Sequence, residues 1–181
     1  MADAAPSPAF LVDAESDPVI VQVLGRASFQ NSACLKDFIG EMLRTGRARF
    51  VLDFERCSGI DSTFLGVLAG AALELRKRPG GGSLVLARVG ERNLELMRNL
   101  GLHRLLVIEG QGAGATTEKC RQEIACSPRR SELENARLVL EAHENLVAAD
   151  PTNLGKFQDV LVFLRSRVNH GRSEEHTSEL Q

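Results

Sequence analysis

Between Phe64 and Leu75 the chain writes a helix with almost no polar face. Phe64, Leu65, Val67, Leu68, Ala69, Ala71, Ala72, Leu73 and Leu75 surround it, and Glu74 is its first charged residue. A helix apolar on every side has to be buried on most of them, so the rest of the fold must be built around it. Gly66 and Gly70, one turn apart, let a neighbouring element approach closely, at a cost of about 1 kcal/mol each in helix propensity. Directly before the helix stands Asp61-Ser62-Thr63. All three are preferred N-cap types, worth about 1 kcal/mol when used, so a purely structural role is one reading of the triplet.

The flanking sequence alternates in period. Phe10-Leu11-Val12 reads as a short edge strand, and Val19 to Leu24, β-branched and bounded by Asp17-Pro18 and Gly25, as a strand. Leu35, Phe38, Ile39, Met42 and Leu43 fall on one helical stripe, with Asn31 or Ser32 to cap its start and Gly46 its end. Phe50 to Phe54 is apolar almost throughout, as a strand covered on both faces should be. Cys57 to Ile60 reads as a loop, Ser83 to Ala87 as a strand, Glu91 to Leu100 as a helix closed by Gly101, and Leu105 to Ile108 as a last strand. The order β-β-α-β-α-β-α-β predicts an α/β fold: a mixed, mostly parallel sheet with packed helices and an antiparallel edge.

Beyond residue 110 the character changes. Residues 111–130 read as a linker with a short helix over Thr117 to Ala125, interrupted by Ser127-Pro128. Residues 131–171 read as a helical hairpin. Ala136, Val139, Leu140, His143, Leu146 and Val147 form the first stripe, and Leu154, Phe157, Leu161, Leu164 and Val168 the second. Asp150 is expected to cap the second helix, with Pro151 at its first position. Neither helix hides its stripe alone, so they pack on each other, on the sheet domain, or across a homodimer. Residues 1–9 read as a frayed, disordered start. The last ten, Arg172 to Gln181, resemble the in-frame translation of a common short-read sequencing adapter, and His176 is given no role. That tail holds one Arg and three Glu; setting it aside leaves the chain formally neutral.

Composition narrows the function. Lys and Arg number 22 against 24 acidic residues, so the basic surplus that nucleic-acid binding needs is missing. Trp and Tyr are absent, which removes the usual base-stacking and cation-caging side chains. No apolar run reaches the length of a membrane span, and Met1 to Pro8 lacks the features of a secretory signal, so a cytoplasmic protein is expected. Cys34, Cys57, Cys120 and Cys126 lack CxxC spacing and read as reduced thiols. His103 and His170 have no ligand partners at metal spacing, and His143 sits at helical spacing among apolar residues, where a packed histidine is the default. Asp53 and Asp61 lack the accompanying base, nucleophile or metal set of a paired-carboxylate site. Gly110-Gln111-Gly112-Ala113-Gly114 lacks the spacing of a dinucleotide loop and the Lys-Ser/Thr of a phosphate loop, so it reads as linker. No catalytic residue, metal or cofactor is expected.

Two separated motifs carry a family resemblance. Ile60-Asp61-Ser62-Thr63-Phe64-Leu65-Gly66 is the first. Downstream, Gly81-Gly82-Ser83-Leu84-Val85-Leu86 and then Asn93-Leu94-Glu95-Leu96-Met97-Arg98-Asn99-Leu100-Gly101-Leu102 follow in order. Over about residues 10–110 the chain resembles the STAS family, the anti-sigma-factor antagonists and their relatives. The resemblance implies that Ser62 is a phospho-acceptor, with Asp61, Thr63 and Phe64 as neighbouring switch residues. Asp53, Leu65 and Gly66 would contribute to a partner surface. The implied partners are a serine kinase that doubles as an anti-sigma factor and a metal-dependent serine phosphatase, with this chain as substrate rather than catalyst. A helix N-terminus tolerates a phosphate, yet about −1.5 to −2 added charge spoils a surface meant for apolar docking. Phe64 departs from the family, which usually has Gly there, and a bulky ring beside the acceptor is expected to alter partner access. That ring and the added hairpin favour a second reading: a STAS scaffold subunit that docks a transporter ATPase or other regulatory complex, with Ser62 only a cap.

Overall fold

The computed structural model describes residues 9–110, 117–126 and 130–178, with Thr117 and 173–178 as backbone only. Strands β1 (Phe10–Asp13), β2 (Val19–Val23), β4 (Arg49–Asp53), β6 (Ser83–Ala87), β7 (Val107–Glu109) and β8 (Gln122–Glu123) form one sheet in the order β7-β6-β4-β2-β1-β8. From β2 to β7 the pairing is parallel, with Val21 beside Leu52 and Leu52 beside Leu86. β1 runs antiparallel to β2, as its short connection requires. Val19, Val21, Val23, Phe50 and Leu52 are all buried, which explains the nearly unbroken apolar run of β4. Leu35 and Ile39 of α1 (Phe29–Arg44), Leu68 and Leu75 of α2 (Ser62–Lys77) and Met97 of α3 (Glu91–Asn99) complete the core over this sheet.

Two further strands stand where the residue pattern predicts none. β3 (Gly25–Ala27) and β5 (Cys57–Ile60) pair in parallel as a separate ribbon, with Ala27 beside Ile60. Their composition of Gly, Arg, Cys and Ser carries no alternation, so only tertiary pairing reveals them. The ribbon has a structural role: β3 runs into α1 and β5 into α2, which sets the two helix N-termini side by side.

Other boundaries move for local reasons. Ser28, not Asn31 or Ser32, caps α1, because Asn31 serves as the third residue of a capping box and returns a bond to the Ser28 amide. Thr45 ends that helix and Gly46, at φ +88°, turns the chain away. A 3₁₀ turn at Leu102–Arg104 follows α3, so the last parallel strand begins at Val107 rather than Leu105. In place of a helix over 117–125, a 3₁₀ turn at Thr117–Lys119 leads to β8, which covers the outer side of β1. β1 is therefore not an edge. The Gly110 to Gly114 motif beyond Gly110 and the Ser127-Pro128 break lie outside the described residues.

The hairpin is present as α4 (Glu132–Ala149) and α5 (Asn153–Ser178). Asp150 closes α4 instead of opening α5; its carboxylate accepts from the Thr152 amide and hydroxyl, and Pro151-Thr152 is a turn. The α5 backbone stays helical through residues 172–178 of the adapter-like tail, and 179–181 lie outside the described residues. The hairpin folds onto its own chain: α4 lies across α2, and α5 packs on α4, where the Phe157 ring meets His143 and Leu161 and Leu164 are buried. Among the described residues, no helix is long and apolar enough to cross a membrane.

One cysteine reading is overturned. Cys34 on α1 and Cys126 ahead of α4 form a disulfide across a sequence separation of 92, while Cys57 and Cys120 are free. Local spacing rules test neighbouring cysteines, and this pair meets only because the chain returns to α1. Burial pushes both free thiols above the usual cysteine range.

Candidate functional site

The site lies where β3 and β5 deliver the starts of α1 and α2. Asp61 is the N-cap of α2 in extended backbone, and its Oδ1 accepts the Phe64 amide at 2.9 Å. Its Oδ2 accepts the Phe29 amide at 2.8 Å, the first residue of α1. Its own amide donates to Ala27 O at 3.0 Å. One carboxylate thus satisfies orphan donors at two helix starts.

Ser62 is the first residue of α2 and is half-buried. Its Oγ lies 3.1 Å from His143 Nε2, on α4. His143 Nδ1 lies 2.7 Å from Val139 O. A carbonyl only accepts, so Nδ1 carries the ring proton; in the neutral ring Nε2 is then the acceptor, and the Ser62 hydroxyl donates to it. The imidazole is 4% exposed and meets the Phe157 ring edge-on, centroids 4.9 Å apart. His143 is the packed histidine expected, but with its outer nitrogen on the candidate acceptor.

Thr63 is buried. Phe64 is wholly buried and stacks on Phe10, centroids 6.2 Å apart. Two residues along a helix are about 200° apart, so the ring points into the core while Ser62 faces α4. The expectation of a ring beside the Ser62 hydroxyl is corrected: the neighbour there is His143 of α4, not Phe64. Asp53, Leu65 and Gly66 do not lie on an open partner surface either. Leu65 is core, and Gly66 lies under Ala142. Asp53, 1% exposed at the end of β4, accepts from Arg88 Nε at 3.0 Å and from the Glu55 amide, and its second oxygen pairs with Arg88 Nη2. The Asp53 hydrogen bond raises the Arg88 guanidinium further above its usual range. Arg88 itself sits at φ +54°, an uncommon backbone state for a side chain of this size. Asp53 and Asp61 hold separate structural networks, and no cluster of metal-ligating side chains occurs among the described residues.

The family model described as Mlab, STAS domain, matches residues 10–108, more than half of the chain. The chain belongs to the STAS family. Among solved structures, the crystal structure of TM1081, a putative anti-sigma factor antagonist of Thermotoga maritima, is 20% identical with a TM-score of 0.50; the match covers 62% of this chain and 95% of that one. The NMR structure of TM1081 gives 21%, 0.51, 61% and 88%. The anti-sigma factor antagonist SpoIIAA in its unphosphorylated form gives 20%, 0.48, 61% and 93%. No curated protein matches.

The STAS match ends at residue 108, so α4 and α5 lie outside it. On the STAS domain, α4 takes the two glycines of α2. A Cβ on Gly66 would stand 2.7 Å from Ala142 Cα and collide with the Ala142 carbonyl. Asn145 Nδ2 donates to Gly66 O at 3.3 Å and covers Gly70. Close approach at these glycines was legible in the sequence; the identity of the approaching helix was not. His143 lies 81 residues from Ser62, and its stripe gave only a period.

Proposed function

We propose that this STAS protein is a partner-switching regulator whose phosphate acceptor is Ser62. Unmodified Ser62 marks the α2 face on which a serine kinase, doubling as anti-sigma factor, docks. Phosphorylation by that kinase ends the interaction, and a metal-dependent serine phosphatase restores it. The chain is substrate and ligand in this cycle, not catalyst. The observation that supports the reading best is the position of the hydroxyl. Ser62 opens α2, so a phosphate there lies at the positive end of the helix, while Asp61 beside it is already committed to two backbone amides. Phosphate adds about −2 charge at the rim of an apolar helix, enough to reverse docking without a change of fold.

The test is intact-mass measurement after incubation with the cognate kinase and ATP, comparing wild type with Ser62→Ala. One added phosphate on the wild type and none on the variant supports the switch; none on either removes it. A second reading is favoured by the Ser62–His143 bond. If Ser62 is a permanent structural donor, the protein is a scaffold that docks a transporter ATPase or another complex, and a pull-down returns those components in place of a kinase. A homodimer through the C-terminal helices would use the outer side of α5, where Val160, Val162 and Phe163 are exposed.

A further inference from the structure

We infer that the α4–α5 hairpin is a built-in cover for the α2 face that begins at Ser62, and that the Cys34–Cys126 disulfide fastens it. The inference rests on the reading of that face as a docking surface. Three observations carry it.

The first is fit. α4 approaches α2 so closely at Ala142 that only glycine at position 66 permits it. Any partner that docks on this part of α2 contends for space that α4 already fills.

The second is the hydroxyl. Ser62 Oγ is hydrogen-bonded to His143 Nε2, and the space beside Oγ on that side is occupied by a buried imidazole. A phosphate brings three more oxygens and competes with that ring for the space on this side.

The third is the way the cover is held. Its two ends differ. Near the α4–α5 turn, Asn153 is wholly buried and its Nδ2 donates to Leu100 O at 2.9 Å and Leu146 O at 2.8 Å, so this end is built into the core. Toward the α4 start, the contacts with α1 include the ion pairs Arg130–Asp37 and Lys36–Glu141, both 2.5 Å and all partly exposed, and Ala33 against the side of α4 at Leu138 and Ala142. Val67, Leu138 and Ala142 form only a small apolar cluster, separate from the main core. Exposed ion pairs hold weakly, and the covalent bond from Cys126 to α1 fastens this end in addition to its packing on α2.

A dithiol reductant releases it. A reductant thiolate attacks one sulfur, the Cys34–Cys126 bond breaks, and the second reductant thiol resolves the mixed disulfide. Two electrons and two protons pass to the cysteines, which leave as thiols, and the reductant becomes a cyclic disulfide. The start of α4 is then free to lift while Asn153 keeps the hairpin attached.

Hydrogen exchange by mass spectrometry on the full chain tests this, with dithiothreitol as the reductant. Thiol titration of the unfolded, unreduced chain first counts two thiols; four overturns the proposal. Peptides from residues 132–149 are expected to exchange about tenfold faster after reduction, and β2 and β4 to stay unchanged. Cys126→Ser reproduces the reduced state without reductant. Gly66→Ala loosens α4 even when oxidised, whereas Gly70→Ala, where the Asn145 side chain is able to move aside, has a smaller effect. Equal α4 protection in oxidised and reduced protein overturns the proposal, whatever the variants do. Exchange involves no phosphoryl transfer, so a Ser62 that takes no phosphate in the kinase assay defeats the acceptor reading and leaves the fastened cover standing.

Discussion

The Asp61 carboxylate reaches the Phe29 amide 32 residues earlier in the chain, at 2.8 Å, while its other oxygen caps its own helix. Asp61→Ala is therefore expected to cost about 2 kcal/mol, the sum of two helix-start bonds, and Asp61→Asn about half of that. Urea unfolding followed by far-ultraviolet circular dichroism measures both, since the chain has neither Trp nor Tyr. Equal losses for the two variants would show that the remaining amide oxygen serves neither helix start.

Ser62 and His143 should be energetically coupled. In a cycle of Ser62→Ala, His143→Phe and the double variant, the coupling is expected near 1 kcal/mol, the ordinary net worth of a side-chain hydrogen bond. Strict additivity would mean that the bond at 3.1 Å contributes nothing in solution.

Arg88 carries two opposing demands. Its guanidinium neutralises the buried Asp53, but its backbone stands in the left-handed region. Arg88→Ala leaves the buried Asp53 charge with only the Glu55 amide and keeps the backbone penalty, for a loss of about 3 kcal/mol. Arg88→Gly also loses the pair but relieves the backbone, so it should be less harmful by about 1 kcal/mol. The reverse order in urea midpoints would mean that backbone strain at this position is negligible.

Acid should loosen the hairpin. Glu134 is held below the usual carboxylate range by its bonds to Ser131, and Asp150 by its bonds to Thr152. Asp17 is lowered in the same way by Arg49. A depressed carboxylate stabilises the fold above its unfolded pKa, near 4, and the contribution is lost as pH falls through the folded value. Two of the three cap the ends of α4, so NMR titration should show α4 amide shifts moving below pH 4 before those of β4. Simultaneous movement would argue against local loosening.

Removing residues 131–171 is expected to change oligomeric state or solubility more than core structure. α2 is apolar on nearly every side, and the deletion uncovers Val67 and Ala71. An unchanged oligomeric state by sedimentation together with unchanged solubility would refute this.

Much of the fold was readable from residue order. Val19 to Leu24, Phe50 to Phe54 and Ser83 to Ala87 announce the parallel sheet because buried strands are apolar on both faces. Asp61 and Ser62 announce a helix start by residue type. β3 and β5 were hidden because three- and four-residue strands of Gly, Arg and Ser carry no period. The partners of the site were hidden for another reason. Phe29, His143 and Cys126 reach it only through chain reversal, which no local pattern encodes.

The order of elements along the chain has a further consequence. A ribosome adding about 5–20 residues per second finishes α2 several seconds before it finishes α4. During that interval the strands of the sheet are completed, yet the helix that covers α2 is not finished. Newly made molecules and mature ones therefore offer their surroundings different surfaces, and a chaperone or a co-translational binder meets a form that the finished protein no longer displays.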